Sequence, residues 1–268
     1  MARIEISNHG MNVDITEHVL PMDTVFLHGN LASNTWWEPA LAEWKAQAKP
    51  GLEGRFVAAE WRGFGKSDAP KKEEELHPSA LADDYIALCA KLGIKKACIV
   101  GHSTGGIIAL YAMLKAPQLF DRAVLLDSVG ATGVQFGPEM YAAFTQMSQD
   151  RAVTEAVMHA TIHGNDMKNP LFQRIVDDTF GSAKINWHGV PKMLHVTDIS
   201  KDLGKIQNKI LVLHGEHDPI IPVESSQALA AGLPNAKLEI VKGHGHSMNV
   251  EDPKLFVFKV NEFLFQRN

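Results

Sequence analysis

The sequence predicts an α/β fold: a doubly wound, mostly parallel sheet with helices on both faces and one helical insertion. Three observations predict it. Short apolar runs alternate along the chain with longer stretches of helical periodicity, the order expected of parallel strands joined by crossover helices. The runs are apolar at nearly every position, so both sheet faces must be covered. The alternation fails once, between residues 131 and 204, where only helical patterns occur.

The elements follow in order. Residues 3–6 and 12–16 read as two short strands around an Asn8-His9-Gly10 turn. Residues 24–27 (Thr-Val-Phe-Leu) form a buried strand, and 55–59, 96–100, 123–126, 210–213 and 238–241 repeat the pattern. Leu81, Tyr85, Leu88 and Leu92 recur at helical spacing, and Gly93 follows as a stop. Residues 107–115 form a helix that ends before Pro117, and 224–231 and 253–265 supply two more. Inside the insertion, Met140, Phe144 and Met147, then Val153, Val157 and Ala160, then Phe172, Ile175, Val176 and Phe180 mark three short helices. The expected organisation is a core of residues 1–130 and 205–268 interrupted by a helical insertion, 131–204. Crossover connections in such a sheet are right-handed.

Composition narrows the function. A chain of 268 residues with 45% hydrophobic residues buries a full core without a disulfide or metal staple. Its formal charge of −5 has the wrong sign for a protein built to hold nucleic acid phosphates. No apolar run approaches the ~20 residues of a membrane span, and the first ten residues lack the apolar stretch of a signal peptide. Cys89 and Cys98 are the only cysteines, so no disulfide framework exists. The expectation is a cytoplasmic protein with neither nucleic acid nor membrane as partner.

The chemistry begins at Gly101-His102-Ser103-Thr104-Gly105-Gly106. This is G-x-S-x-G, lying between a strand and a helix, the context that gives the pattern meaning. A serine at the tip of so sharp a turn is crowded by its neighbours two residues away, where glycine is the residue that fits. The helix start then aims free amides at the serine oxygen. A nucleophilic serine needs a base, and the base needs an orienting acid, in the chain order serine, acid, histidine. The strand 210–213 runs into His214-Gly215-Glu216-His217-Asp218-Pro219, and the strand 238–241 into Lys242-Gly243-His244-Gly245-His246-Ser247. Both turns lie at the carboxyl edge of the sheet, where ligands bind in open α/β folds. Spacing alone leaves His244 and His246 open as the base, and Asp218, Glu216 and Asp127 open as the acid. The two oxyanion donors expected are the amide of Thr104 and Asn30 in the loop His28-Gly29-Asn30-Leu31. His28 reads as a brace for its own loop. Metal ligation through His214, His217 and Asp218 or through His244 and His246 lacks a recognised ligand spacing.

These residues carry a resemblance. The chain resembles the α/β-hydrolase superfamily, in particular its small capped serine esterases and their cofactor-free haloperoxidase and perhydrolase relatives. The resemblance rests on His28-Gly29, on Arg62-Gly63-Phe64-Gly65-Lys66-Ser67-Asp68, on Gly101 to Gly106, on Gly215-Glu216-His217-Asp218, and on Gly245-His246 followed by Glu251-Asp252-Pro253. It implies Ser103, Asp218 and His246 as the catalytic triad, with Asn30 as the oxyanion donor after His-Gly. It assigns no chemistry to Arg62 or Asp68. The insertion corresponds to a helical cap. Relatives with an aspartate nucleophile are set aside by Ser103. The implied activity is hydrolysis of a small, hydrophobic ester through an acyl-enzyme, with a small-molecule acyl substrate, no cofactor and no assigned oligomeric state. The alternatives on the same triad are C–C bond hydrolysis, lactonase or perhydrolase chemistry, and a non-catalytic ligand-binding role. C–C hydrolases carry a longer Gly-rich oxyanion loop than His28-Gly29-Asn30-Leu31-Ala32-Ser33.

Overall fold

The computed structural model describes residues 2–265. Its strands are β1 (Ala2–Ile6), β2 (His9–Leu20), β3 (Thr24–Leu27), β4 (Gly54–Glu60), β5 (Ala97–His102), β6 (Phe120–Leu126), β7 (Lys209–Gly215) and β8 (Ala236–Val241). They form one sheet in the order β1-β2-β4-β3-β5-β6-β7-β8. The pairs β1–β2 and β2–β4 are antiparallel, and all others are parallel. The helices are α1 (Glu38–Gln47), α2 (Pro78–Lys91), α3 (Thr104–Lys115), α4 (Pro138–Gln149), α5 (Arg151–Thr161), α6 (Pro170–Phe180), α7 (Asn186–His195), α8 (Val223–Gly232), α9 (Met248–Glu251) and α10 (Pro253–Phe265).

Successive strand residues point to opposite faces, and both faces are apolar. Val25, Leu27, Ile99, Leu125 and Val212 face α2 and α3, where Leu81, Tyr85 and Ile107 complete one core. Phe26, Phe56, Val100, Leu126 and Leu213 face α1 and α10, where Trp44, Phe256 and Val260 complete the other. This two-sided covering is why the strands read as continuous apolar runs. Phe26 anchors the second core: its ring stacks on Phe56 at 4.1 Å and meets Trp44 and Trp37 at 5.2 and 5.3 Å.

Three local features differ from the sequence reading. The first turn lies at Ser7 and Asn8, not at Asn8-His9-Gly10, because Ile6 pairs with His9 and Glu5 with Gly10 in a two-residue hairpin. Strand β2 runs on to Leu20 through a register shift after Thr16, with His18 in left-handed backbone. Helices α1 and α7 had not been expected. In α1 the buried residues are Ala40 and Trp44, too sparse a face to stand out in the sequence, and α7 carries Pro191 inside it. Arg62 makes paired hydrogen bonds to Asp84 at 2.8 and 2.9 Å and a third to Glu75 at 2.9 Å, tying the loop after β4 to α2. Cys89 and Cys98 are free and buried, and burial pushes both thiols up to about 12, so they act as packing residues.

Helices α4 to α7 lie between β6 and β7. Phe144, Met147, Trp187, Val190 and Leu194 join the first core. Met158, Ile162, Phe172, Ile175 and Val176 form a separate cluster with Ala32 and Trp36, which follow β3. The inserted helices therefore pack directly on the segment that succeeds strand β3. Among the described residues, no helix is long and apolar enough to cross a membrane.

Phe26 is fully buried among three aromatic rings. Phe26→Ala is expected to lower unfolding stability by about 3–5 kcal/mol, read as a lower urea midpoint at unchanged slope.

Candidate active site

Strand β5 ends at His102, and α3 starts at Thr104. Ser103 joins them with φ 54° and ψ −120°, a left-handed backbone that a non-glycine residue adopts only under constraint. The constraint is visible. The Ser103 amide donates to the Leu126 carbonyl at 2.9 Å, and the Ser103 carbonyl accepts from the amides of Gly106 and Val129 at 3.0 and 3.1 Å. A Cβ on Gly101 would lie 2.4 Å from the Gly105 carbonyl oxygen, and one on Gly105 would lie 2.2 Å from the carbonyl oxygen of Leu27. The two glycines of the motif are thus there because backbone packs where a side chain would be.

The other sequence-predicted residues converge on this turn. His246, in the loop after β8, makes a 2.7 Å hydrogen bond from Nδ1 to Asp218 Oδ2, and both side chains are almost wholly buried. The second Asp218 oxygen accepts the amides of Ile220 and Ile221 at 2.7 and 3.0 Å. Burial alone would raise the Asp218 carboxyl. The bond and charge of His246, with the two amides, outweigh it and hold the group below its ordinary range, so it is a carboxylate at neutral pH. The other candidates from the sequence make different contacts. His244 hydrogen-bonds the Lys242 carbonyl at 2.9 Å and lies 3.7 Å from Asp252. Glu216 accepts the Gly243 amide at 3.1 Å. Asp127 accepts the Gly215 amide at 2.8 Å, and burial, with the Asp218 charge, pushes its carboxyl well above the usual range.

The loop after β3 comes up on the other side. A Cβ on Gly29 would fall 3.0 Å from Ser103 Cβ, so the segment carrying Asn30 lies against the serine. Asn30 is half-buried, and its Oδ1 is buried without a hydrogen-bond partner. His28 braces this loop: Nδ1 bonds the Gly29 carbonyl at 2.8 Å, Nε2 accepts the Trp61 amide at 3.4 Å, and the ring stacks on Trp61. Thr104 opens α3, where its amide is one of the helix's free first-turn donors. Ser103 and His246 are only 8% and 5% exposed, so the site is nearly sealed.

Two supports had escaped the sequence reading. His102 donates from Nε2 to the backbone carbonyl of His246 at 2.8 Å, and the two rings lie 4.9 Å apart. This contact sets His246 beside the serine turn. Glu251 accepts the amides of Gly245, Ser247 and His163 at 2.8, 3.1 and 2.9 Å, closing the histidine loop and linking it to the insertion. The only signal for Glu251 was its place in Glu251-Asp252-Pro253. For His102 it was its place inside the serine motif.

Among the described residues, two sets of His, Cys, Asp or Glu side chains have ligand atoms within 4.8 Å of one another: His102, Asp127 and His246, and Asp127, His214 and Asp218. Both sets include Asp127, whose carboxyl burial pushes well above its usual range, which disfavours the charged form that ligates a metal. Asp218 already accepts hydrogen bonds on both oxygens.

Comparison with known proteins gives the family and the fold. The sequence profile described as alpha/beta hydrolase fold matches residues 25–253, and the chain belongs to that family of hydrolases. It is 28% identical over 216 residues to a 2-hydroxymuconate semialdehyde hydrolase of Pseudomonas putida, covering 78% of this chain and 76% of that one. It is 26% identical over 248 residues to the carboxylesterase YbfK of Bacillus subtilis, covering 90% and 79%. The solved structure of an esterase from Exiguobacterium antarcticum superimposes with a TM-score of 0.87 at 20% identity, over 98% of this chain and 99% of that one, a likeness of fold.

Burial holds the His28 and His102 imidazoles down at about 3, in His102 with help from the nearby His246. Unfolded, each would titrate at about 6.5. Between those values the unfolded chain binds more protons, so each group subtracts stability as pH falls from about 6.5 toward 3, and neither does so above it. In a histidine-resolved NMR titration, both rings are expected to keep neutral-imidazole signals down to about pH 4.5. A midpoint near 6.5 for either ring would contradict the described burial.

Proposed function

We propose that the protein is a serine hydrolase that cleaves a small, hydrophobic carboxylic ester through an acyl-enzyme. The observation that carries this reading is the 2.7 Å contact between His246 and an ionised Asp218, beside a serine held in left-handed backbone. His246 takes the Ser103 proton as the serine oxygen bonds to the ester carbonyl carbon. Asp218 orients the imidazole and stabilises its protonated form. The amides of Thr104 and Asn30 donate to the developing oxyanion. The protonated His246 then passes its proton to the departing alcohol, leaving an ester on Ser103. Water, deprotonated by His246, attacks that ester, and the acid and the free serine are released.

Residues 131–204 act in this reading as a cap over the site, with apolar residues selecting a neutral acyl group. The carboxylesterase relative supports ester cleavage. A second reading, C–C bond hydrolysis by the same triad, is favoured by the similarity to the Pseudomonas putida hydrolase. The short loop around Asn30 lacks the Gly-rich extension expected of that class, and it is the reason the ester reading stands first.

A p-nitrophenyl ester series from acetyl to decanoyl tests the choice. The wild type is expected to hydrolyse the short members, and Ser103→Ala to lose at least about 10³-fold in kcat/KM. A wild type inactive on every ester but active on a vinylogous 1,5-diketone would transfer the assignment to C–C hydrolysis.

A further inference from the structure

The last turn of α6 touches the loop that carries Asn30 at three points. Thr179, fully buried, donates from Oγ1 to the Leu31 carbonyl at 2.6 Å. Asp178 Oδ2 accepts from the hydroxyls of Ser33 and Thr35 at 2.5 and 2.6 Å. Leu31 itself has φ 53°, a left-handed conformation unfavourable for a branched side chain, which persists only where neighbours over-determine it. From the core side the same segment is held three residues beyond Leu31: the Asn34 side chain donates to the Ala58 carbonyl at 3.0 Å, and its amide donates to Glu60 at 3.3 Å. Asn34 therefore has a core attachment of its own, whereas the Ser33 side chain is held by Asp178 of the insertion. The Leu31 carbonyl, adjacent to Asn30, has its bond from the insertion.

We propose that Thr179 and Asp178 are positioning residues: through Leu31, Ser33 and Thr35 they hold the Asn30 amide where the oxyanion forms, so that this donor is in place only while α6 is seated. The inference rests on the acyl-transfer reading above. Its physical content is a coupling. Ser103 and His246 are almost inaccessible as the helices stand, so substrate entry requires the insertion to move. When α6 leaves, the strained turn at Leu31 loses its buried bond and relaxes, taking Asn30 with it. When α6 returns over a bound substrate, the donor is restored. Closure and assembly of the oxyanion site become one event, and an oxyanion donor displaced by about 1 Å is expected to slow the chemical step by up to ~100-fold.

The test compares wild type, Thr179→Val, Thr179→Ser and Asp178→Ala by two readouts. Hydrogen exchange of residues 28–36 is followed without substrate, and kcat and KM are measured on the preferred p-nitrophenyl ester. Thr179→Val removes one hydroxyl at nearly constant volume, and Asp178→Ala, at a half-buried position, removes the acceptor of the Ser33 and Thr35 hydroxyls and keeps the fold if the valine variant does not. Either variant is expected to speed exchange in 28–36 by about 10-fold or more and to lower kcat by about 10- to 100-fold with KM within a factor of two. Thr179→Ser, which keeps the donor, is expected to restore both. Unchanged exchange in 28–36, or faster exchange with unchanged kcat, overturns the proposal. A wild type that hydrolyses no ester, with the exchange pattern as expected, leaves the clamp standing and removes the esterase reading instead.

Discussion

Ser103 is held at φ 54° and ψ −120°, and the remainder of the site is arranged around that one strained residue. Holding a non-glycine residue in so sparsely populated a positive-φ region costs about 1–3 kcal/mol. It is kept because the turn is pinned from below by the Leu126 carbonyl and crossed by the amides of Gly106 and Val129. The backbone of α3 and of the strand ending at Leu27 passes so close that Gly101 and Gly105 admit no side chain. What results is a serine lifted out of the sheet edge with a helix start beneath it. Each residue beyond the serine turn proposed to act with it is delivered to the same edge by a neighbouring strand: Asn30 after β3, Asp218 after β7 and His246 after β8.

Electrostatics then distinguishes groups that look equivalent in the sequence. His28, His102 and His246 all gather at this edge, and all are buried. The first two face backbone carbonyls and stay neutral, so they act as struts. His246 alone of the three is hydrogen-bonded to a carboxylate, which stabilises an imidazolium as it forms. The same sorting applies to Asp127 and Asp218. Amides and an imidazole hold the Asp218 carboxyl below its usual range, whereas Asp127 is buried with one oxygen unpartnered and its carboxyl is pushed well above that range.

Much of this was legible in the sequence because it is local. A strand buried on both faces shows itself as a continuous apolar run, and a serine between close-packed glycines shows itself as G-x-S-x-G. The choice between His244 and His246 was not local. Both follow β8, and only the distance to Asp218, some thirty positions earlier in the chain, separates them; the resemblance to a family pointed to His246, and the geometry puts it on Asp218. The contacts of the insertion were illegible for the same reason. Asp178 meets Ser33 across 145 residues, and Thr179 meets Leu31 across 148, with no periodicity or motif to announce either pair. Helix α1 was missed because its small alanines and one buried tryptophan give no clear apolar stripe.

The measurement closest to the central claim is the rate and position of covalent labelling by a fluorophosphonate, resolved by tandem mass spectrometry across pH. The expected result is a single adduct on Ser103, formed faster as one group deprotonates and slowed by about 10³-fold or more in Asp218→Asn. An adduct at another residue, or a labelling rate indifferent to the loss of the Asp218 carboxylate, would contradict the account of a serine activated by the His246–Asp218 pair.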